Sequence, residues 1–152
     1  MTRGRFNVKS AGAWLPPILC AVIIFYLSSR PARALPRLWF PHMDKIIHAG
    51  EYGALALLLY RVWFWPRYWI HKSRSRLIRG AAFIALVCAL FALSDEIHQA
   101  FVPGRAMTLA DWIADMTGAL AALGFCLWRA LPQTASASLP KRSFAEPAHE
   151  SE

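Results

Sequence analysis

The residues of this chain that could perform chemistry are acids and imidazoles at helical spacing beside long apolar runs. Asp44, His48 and Glu51 follow one another at i, i+4 and i+7, which places them on one face of a helix. On the helical rise, Glu51 lies roughly 9 Å beyond Lys45, well inside an apolar run. Carboxyl and imidazole groups serve as general acids, general bases and metal ligands, so their position at membrane depth indicates function.

Two further groups of polar residues at helical spacing lie later in the chain. Asp95 is spaced i, i+3 from His98 and i, i+4 from Gln99. Asp111 and Asp115 are spaced i, i+4. Because ionisable groups inside a membrane usually face the bundle interior or a wet cavity, we expect all three groups to meet in one polar pocket. The candidate pocket residues are Asp44, His48, Glu51, Ser94, Asp95, Glu96, His98, Gln99, Arg105, Asp111 and Asp115.

Several candidates also have an explanation that involves no chemistry. Asp44 fits an N-cap, and Asp111 fits the far half of a capping box that starts at Thr108. Glu96 lies about 100° around the helix from Asp95, which favours a side chain that simply faces water. Both interpretations stay open for these residues at the level of sequence.

Helix capping does not account for the other candidates. His48, Glu51 and Asp115 lie inside apolar runs, where no helix cap accounts for them. Arg105 fits either an interfacial anchor or a cation that neutralises the acids. Ser94 belongs to the same helix as its neighbouring acid and imidazole, so this local set does not make a catalytic triad.

A metal centre is one alternative for the pocket. The ligand types present are His48, Glu51, Asp95, His98 and Asp115, and the Asp95-x-x-His98 spacing is that of bundle metal sites with a shorter acid. No HExxH motif is present. We therefore expect a hydrogen-bonded ionic network and no cofactor, with a divalent metal as the alternative. The three cysteines share no metal-ligand spacing.

The elements that must position these residues are apolar runs of membrane-spanning length. The runs are 11–27, 46–65, 80–93 and 109–128, in a chain of 152 residues that is 57% hydrophobic and 17% charged. Soluble domains are typically about 45–50% apolar and about 25% charged. The sequence therefore predicts an all-α, integral membrane four-helix bundle.

The chain divides into three parts. We expect a cytoplasmic N-terminus over 1–11, a four-span membrane domain over 12–129 and a disordered cytoplasmic tail over 130–152. A cleaved signal peptide is the alternative for the first run, because a basic start precedes it.

The distribution of positive charge predicts the orientation. With four spans, 12 of the 17 Lys and Arg residues share the side of the two termini, and 5 lie on the other side. By the positive-inside rule, both termini are cytoplasmic. The six acids outside the tail all lie at the outer ends of the runs. The net charge of +8 follows from membrane orientation, so no nucleic-acid partner is expected.

The motifs resemble those of the VanZ-like family of small bacterial membrane proteins, from about residue 12 to 129. The matching pieces are Leu27-Ser28-Ser29, Asp44-Lys45-x-x-His48, Ser94-Asp95-Glu96-x-His98-Gln99-x-Phe101-x-Pro103-Gly104-Arg105 and Asp111-x-x-x-Asp115-x-x-Gly118. Asp115 stands where the family often has Asn, and Ala49-Gly50 follow His48 where the family often has an aromatic residue.

The resemblance implies a multi-pass protein of the bacterial cytoplasmic membrane with a link to teicoplanin susceptibility. Taken with the pocket, it favours a non-enzymatic envelope protein that binds a lipid headgroup, a lipid-linked cell-wall precursor or another envelope protein. The alternatives are an enzyme, a hydrolase or transferase, acting on a lipid-linked substrate at the outer leaflet, and a proton- or ion-coupled carrier. Against the carrier, no internal repeat is visible.

Overall fold

Four α-helices make up the part of the chain that the computed structural model describes, which is residues 12–31, 34, 41–64 and 73–130. They are α1 (Leu15–Ser28), α2 (Met43–Phe64), α3 (Arg74–Gln99) and α4 (Leu109–Ala130), and a single 3-10 turn precedes α1. No strand occurs in these residues, so the all-α prediction is confirmed. The predicted N-terminal segment 1–11 and nearly all of the predicted tail, from residue 131, lie outside the described residues.

The helix boundaries follow local chemistry. Pro16 and Pro17 lie in the first turn of α1, where backbone amides need no helical partner. α3 continues past its apolar run to Gln99, because no helix breaker precedes Pro103. Gly104 then adopts a φ of 78°, which glycine tolerates in a turn, and the chain reverses into α4.

The closest approach in the bundle is between α2 and α4, which share the most extensive contact. A Cβ atom on Gly118 would lie 1.9 Å from the Ala49 carbonyl oxygen, closer than any real Cβ contact. Gly53 also faces Gly118, one turn further along α2. A Cβ atom added to Gly53 would lie 3.4 Å from the Gly118 carbonyl oxygen. Small residues thus let the two backbones meet, as they do between membrane helices.

The bundle is apolar on its outside and polar inside at one end. Large apolar side chains are exposed on every helix, including Ile18, Val22, Leu57, Leu86, Leu90, Leu120 and Phe125. Soluble proteins rarely expose continuous apolar surface of this kind. By length and composition, α3 and α4 each suffice to cross a bilayer, and the apolar stretch Gly12–Ser28 is shorter. These features indicate a membrane protein.

The glycine contact predicts a position-specific loss of stability. Gly118→Ala should destabilise the bundle by about 1–3 kcal/mol, because its methyl group must displace the α2 backbone. Gly124→Ala is the matched control on the same helix, since nothing lies within 4 Å of its added Cβ. The measurement is the thermal unfolding midpoint of each purified variant in detergent. Equal midpoints for both variants would contradict the close approach.

Candidate functional site

The polar side chains collect at one end of the bundle, where the carboxyl ends of α1 and α3 meet the amino ends of α2 and α4. The up-and-down order of the helices brings these four ends together. The buried polar residues of this end are Ser28, His48, Asp95, Glu96, Gln99, Asp111 and Asp115. The sequence predicted this grouping for every member except Ser28.

A hydrogen-bonded network joins α1 to α3. The Ser28 hydroxyl donates to Asp95 Oδ2 at 2.6 Å. Gln99 Nε2 donates to the same oxygen at 3.1 Å and to Ser28 Oγ at 3.3 Å. One carboxylate oxygen therefore receives two donors, as a buried charge requires.

His98 binds α1 through a second set of contacts. Its Nε2 lies 3.0 Å from Ser29 Oγ, and its ring stacks on Phe25 with centroids 4.5 Å apart. Because the Ser29 hydroxyl proton is donated to the Phe25 carbonyl oxygen at 2.7 Å, the remaining partner role for His98 Nε2 is that of donor. His98 thus orients the end of α1, and the polar partners of the neighbouring Asp95 are other side chains.

The centre of the site lies between α2, α3 and α4. His48 Nδ1 is 2.9 Å from Asp115 Oδ1, and the two residues are 8% and 0% exposed. Glu96 reaches the same place from α3 and is 1% exposed. One ligand atom from each of the three side chains lies within 4.8 Å of the others. Three helices therefore contribute one titratable group each.

Glu96 is buried, so the interpretation that its side chain simply faces water is wrong. Its Oε2 accepts a hydrogen bond of 2.7 Å from the Thr108 backbone N–H. The helical angle from Asp95 is as expected, but the loop between α3 and α4 folds back over this side of α3. That loop occupies the side of α3 that the sequence indicated would face water.

The capping box at the start of α4 takes a modified form. The Asp111 backbone N–H donates to Thr108 Oγ1 at 3.1 Å, so Thr108 caps the helix. The Thr108 hydroxyl in turn donates to Asp111 Oδ2 at 2.6 Å. In a standard capping box the acid accepts a hydrogen bond from the backbone N–H of the N-cap residue. Here the Thr108 backbone N–H donates to Glu96 instead. The other oxygen of Asp111 is left for Lys45.

Lys45 is the cation at the rim of the site. Its Nζ donates to Asp44 Oδ2 at 2.9 Å and also to Asp111 Oδ1. Asp44 lies inside the first turn of α2 rather than at its cap, because α2 begins at Met43. The lysine therefore ties the amino ends of α2 and α4 together, a role that was not predicted for it.

Arg105 binds backbone rather than acids. It donates from Nη2 to the Leu27 carbonyl oxygen at 3.3 Å and from Nε to the Arg30 carbonyl oxygen at 3.5 Å. These carbonyls lie at the end of α1, where a cation complements the helix dipole. Arg105 thus caps α1, a role that was not predicted for it, and it also interacts electrostatically with Glu51.

Two predicted residues lie at the edge of the cluster or outside it. Ser94 is exposed and donates to the Phe91 carbonyl oxygen at 2.7 Å, so it does not enter the site. Glu51 is half-buried, and it is close enough to His48, Asp115 and Asp95 to interact with each electrostatically.

Four buried side-chain oxygens of the site have no hydrogen-bond partner among the described residues. They are Tyr52 Oη, Asp95 Oδ1, Glu96 Oε1 and Asp115 Oδ2. Tyr52 was missed by the sequence reasoning, because a tyrosine one turn from His48 in an apolar run resembles a packing residue. Buried polar atoms in native proteins are nearly always satisfied, so these oxygens point to a ligand, water or ion.

The set of residues that could hold a metal differs from the predicted one. His48 and Asp115 belong to both sets, and Glu96 supplies the third ligand. Within the described ranges, the predicted ligands Glu51, Asp95 and His98 do not join this group.

An all-α bundle with an apolar exterior and buried acids at one end defines a small helical membrane protein. The family model VanZ/LLP1 matches residues 13–131, and the chain belongs to this family. The match covers nearly the same part of the chain as the motif resemblance. No curated protein and no solved structure matches the chain.

The network between α1 and α3 predicts a large effect at one of two adjacent residues. Asp95→Ala should cost about 1–3 kcal/mol of stability, because it leaves the Ser28 hydroxyl buried without its acceptor and removes one of the two acceptors of the Gln99 amide. Ser94→Ala is the matched control, since that side chain is exposed. Thermal unfolding in detergent measures both, and an equal effect of the two changes would refute the network.

The helix cap gives a second prediction. Thr108→Ala should destabilise the protein by about 0.5–2 kcal/mol through loss of the cap of α4. Thr117→Ala controls for the residue type on the same helix, because Thr117 is exposed and donates only to the Ile113 carbonyl oxygen. Hydrogen exchange of the first turn of α4 should quicken in Thr108→Ala alone. Unchanged exchange there would rule out the cap.

Proposed function

We propose that this VanZ-family chain is a multi-pass protein of the bacterial cytoplasmic membrane whose polar end faces outward and binds a lipid-linked cell-wall precursor. The excess of Lys and Arg beside the opposite end of the bundle supports this orientation, since basic residues favour the cytoplasmic side. The apolar exterior of all four helices supports insertion in lipid.

The observation that carries the binding proposal is the set of buried oxygens without partners. Three of these oxygens belong to carboxyl groups: Asp95 Oδ1, Glu96 Oε1 and Asp115 Oδ2. An ionised carboxylate oxygen accepts hydrogen bonds or coordinates a cation, and it has no proton to donate. A ligand for this end must therefore bring donors or positive charge. Cell-wall precursors carry amide, hydroxyl and amine donors on a headgroup held at the membrane surface, which is the depth of these oxygens in the proposed orientation.

Glu51 and Lys45 form the accessible part of the proposed pocket. Both are half-buried, whereas the acids behind them are fully enclosed. A headgroup would meet this rim first and the enclosed oxygens afterwards. The family resemblance, which implies a link to teicoplanin susceptibility, supports a ligand of the cell wall.

An enzyme acting on the same lipid-linked substrate is the second candidate. The hydrogen-bonded His48–Asp115 pair favours it, since a carboxylate that orients an imidazole is a common arrangement in acid–base catalysis. Turnover of the precursor by protein in nanodiscs would select this function over binding alone.

The proposed orientation predicts that cysteines placed at the two ends of the bundle react from opposite sides of the membrane. In a variant without the three native cysteines, Gly104→Cys should react with a membrane-impermeant thiol reagent applied to intact cells. Ser75→Cys, near the amino end of α3, should react only after permeabilisation. The reverse pattern would overturn the orientation, and labelling of both sites from outside would overturn the placement of the bundle in the membrane.

The binding proposal predicts a loss of affinity in isosteric variants. Glu51→Gln and Asp95→Asn should each weaken binding of a lipid-linked cell-wall precursor in nanodiscs by about tenfold, since hydrogen bonds to charged groups contribute about 1.5–3 kcal/mol. Asp44→Asn is the control, because its ion pair is at the solvent-exposed rim. Teicoplanin susceptibility of cells expressing each variant provides a second readout. Unchanged affinity and susceptibility in both test variants would exclude the pocket.

A further inference from the structure

Three buried side chains from three different helices converge, and none of them forms an ion pair with a Lys or Arg of the described residues. His48 comes from α2, Glu96 from α3 and Asp115 from α4, and one ligand atom of each lies within 4.8 Å of the other two. The ion pairs of the described residues assign Lys45 to Asp44 and Asp111, at the rim. Among the described residues, these two carboxyl groups therefore share one imidazole and have no Lys or Arg as an ion-pair partner.

The hydrogen bonds present do not satisfy the two carboxyl groups. Asp115 uses Oδ1 towards His48, and Glu96 uses Oε2 towards the Thr108 backbone N–H. The second oxygen of each group, Asp115 Oδ2 and Glu96 Oε1, is buried without a partner. Buried carboxylates in proteins are paired or coordinate metals, and a single imidazole pairs with only one of these two.

The spacing of the three groups suits a metal ion. Ligand atoms about 2.1 Å from an ion in adjacent octahedral positions lie about 3 Å apart, and tetrahedral ligands lie slightly further apart. The ligand atoms of the three side chains lie within 4.8 Å of one another, so the more distant of them would have to move closer to bind one ion. The distance of 2.9 Å between His48 Nδ1 and Asp115 Oδ1 is that of adjacent ligands, and an ion held by both atoms would replace the proton of their hydrogen bond, which is released to solvent.

We propose that His48, Glu96 and Asp115 bind a divalent transition-metal ion of the Zn²⁺ or Mn²⁺ class. One imidazole with two carboxylates is a ligand set between those of harder and softer ions, which favours these metals over Mg²⁺ and Ca²⁺. The Thr108 backbone N–H orients Glu96 from behind, as outer hydrogen bonds orient metal ligands. Three protein ligands leave positions open on the ion.

The ion would change what the pocket can bind. Two ionised carboxylates repel an anionic group, and a divalent cation between them cancels their charge and offers a coordination site for an oxygen ligand. A phosphate oxygen of the headgroup fits that site. This last step rests on the proposed binding function, whereas the metal site itself does not.

The test is the metal content of the full chain, purified in detergent without chelator and equilibrated separately with Zn²⁺, Mn²⁺, Mg²⁺ and Ca²⁺. We expect one Zn²⁺ or Mn²⁺ per chain after removal of free ion, and at least about tenfold weaker binding in His48→Ala, Glu96→Gln and Asp115→Asn. Asp44→Asn is the matched control, since this acid pairs with Lys45 at the rim, lies outside the three-residue group and should retain the metal. Loss of metal in the control to the same degree would overturn the assignment of ligands.

A measurement on the unmodified protein keeps the proposal testable if variants fold poorly. Mn²⁺-loaded protein should show a nitrogen coupling from one imidazole by pulsed electron paramagnetic resonance. Absence of that coupling, or stoichiometric binding of Mg²⁺ or Ca²⁺ alone, would overturn the proposal. Failure of precursor binding beside a metal-loaded protein would instead count against the proposed function and leave the metal site in place.

Discussion

Burial of acids inside an apolar bundle is the constraint on which the polar end of this protein depends. Asp95, Glu96 and Asp115 are almost completely enclosed, and an uncompensated charge in such surroundings costs far more than a typical side-chain contact contributes. Each acid therefore recruits a partner from another element. Ser28 comes from α1, His48 from α2 and the Thr108 amide from the loop before α4. Pairing one oxygen of each carboxyl group requires all four helix ends to meet.

The close approach of α2 and α4 makes that meeting possible. Gly118 allows the Ala49 backbone to come within the space that a methyl group would occupy. Ala49 adjoins His48, and Gly118 lies one turn beyond Asp115 on the same stripe of α4. The glycine contact thus sets the register in which the imidazole of one helix reaches the carboxyl group of the other. Packing of the backbones and pairing of the side chains are two aspects of one contact.

The rim of the site is built from groups that serve the helix ends. Lys45 joins the first turns of α2 and α4, Thr108 caps α4, and Arg105 binds the final carbonyls of α1. Together they hold the loop between α3 and α4 against the bundle, and this loop covers Glu96. The enclosed part of the site therefore depends on local capping chemistry as much as on the packing of the helices.

The amino-acid sequence alone determined the all-α fold, the four helices and the end of the bundle at which the acids lie. These follow from periodicity, from apolar runs and from motif spacing, which are local properties. Sequence also singled out His48, Glu51 and Asp115, because no local structure explains acids and imidazoles inside apolar runs, and the structure places His48 beside Asp115.

Only the tertiary structure decided which group meets which. The angle of Glu96 around α3 was predictable, but the loop that fills that direction was not, because loop placement depends on long-range contacts. Ser28 and Lys45 carry no local mark of their roles, since Asp95 and Asp111, to which they donate, lie on other helices. Tyr52 resembles a packing residue in the sequence, and only its burial without a partner for the hydroxyl group marks it as part of the site. The pairing of His48 with Asp115 depends on the distance between two helices, and that distance is set by the contact of Gly118 with Ala49, which is 69 residues away in the sequence.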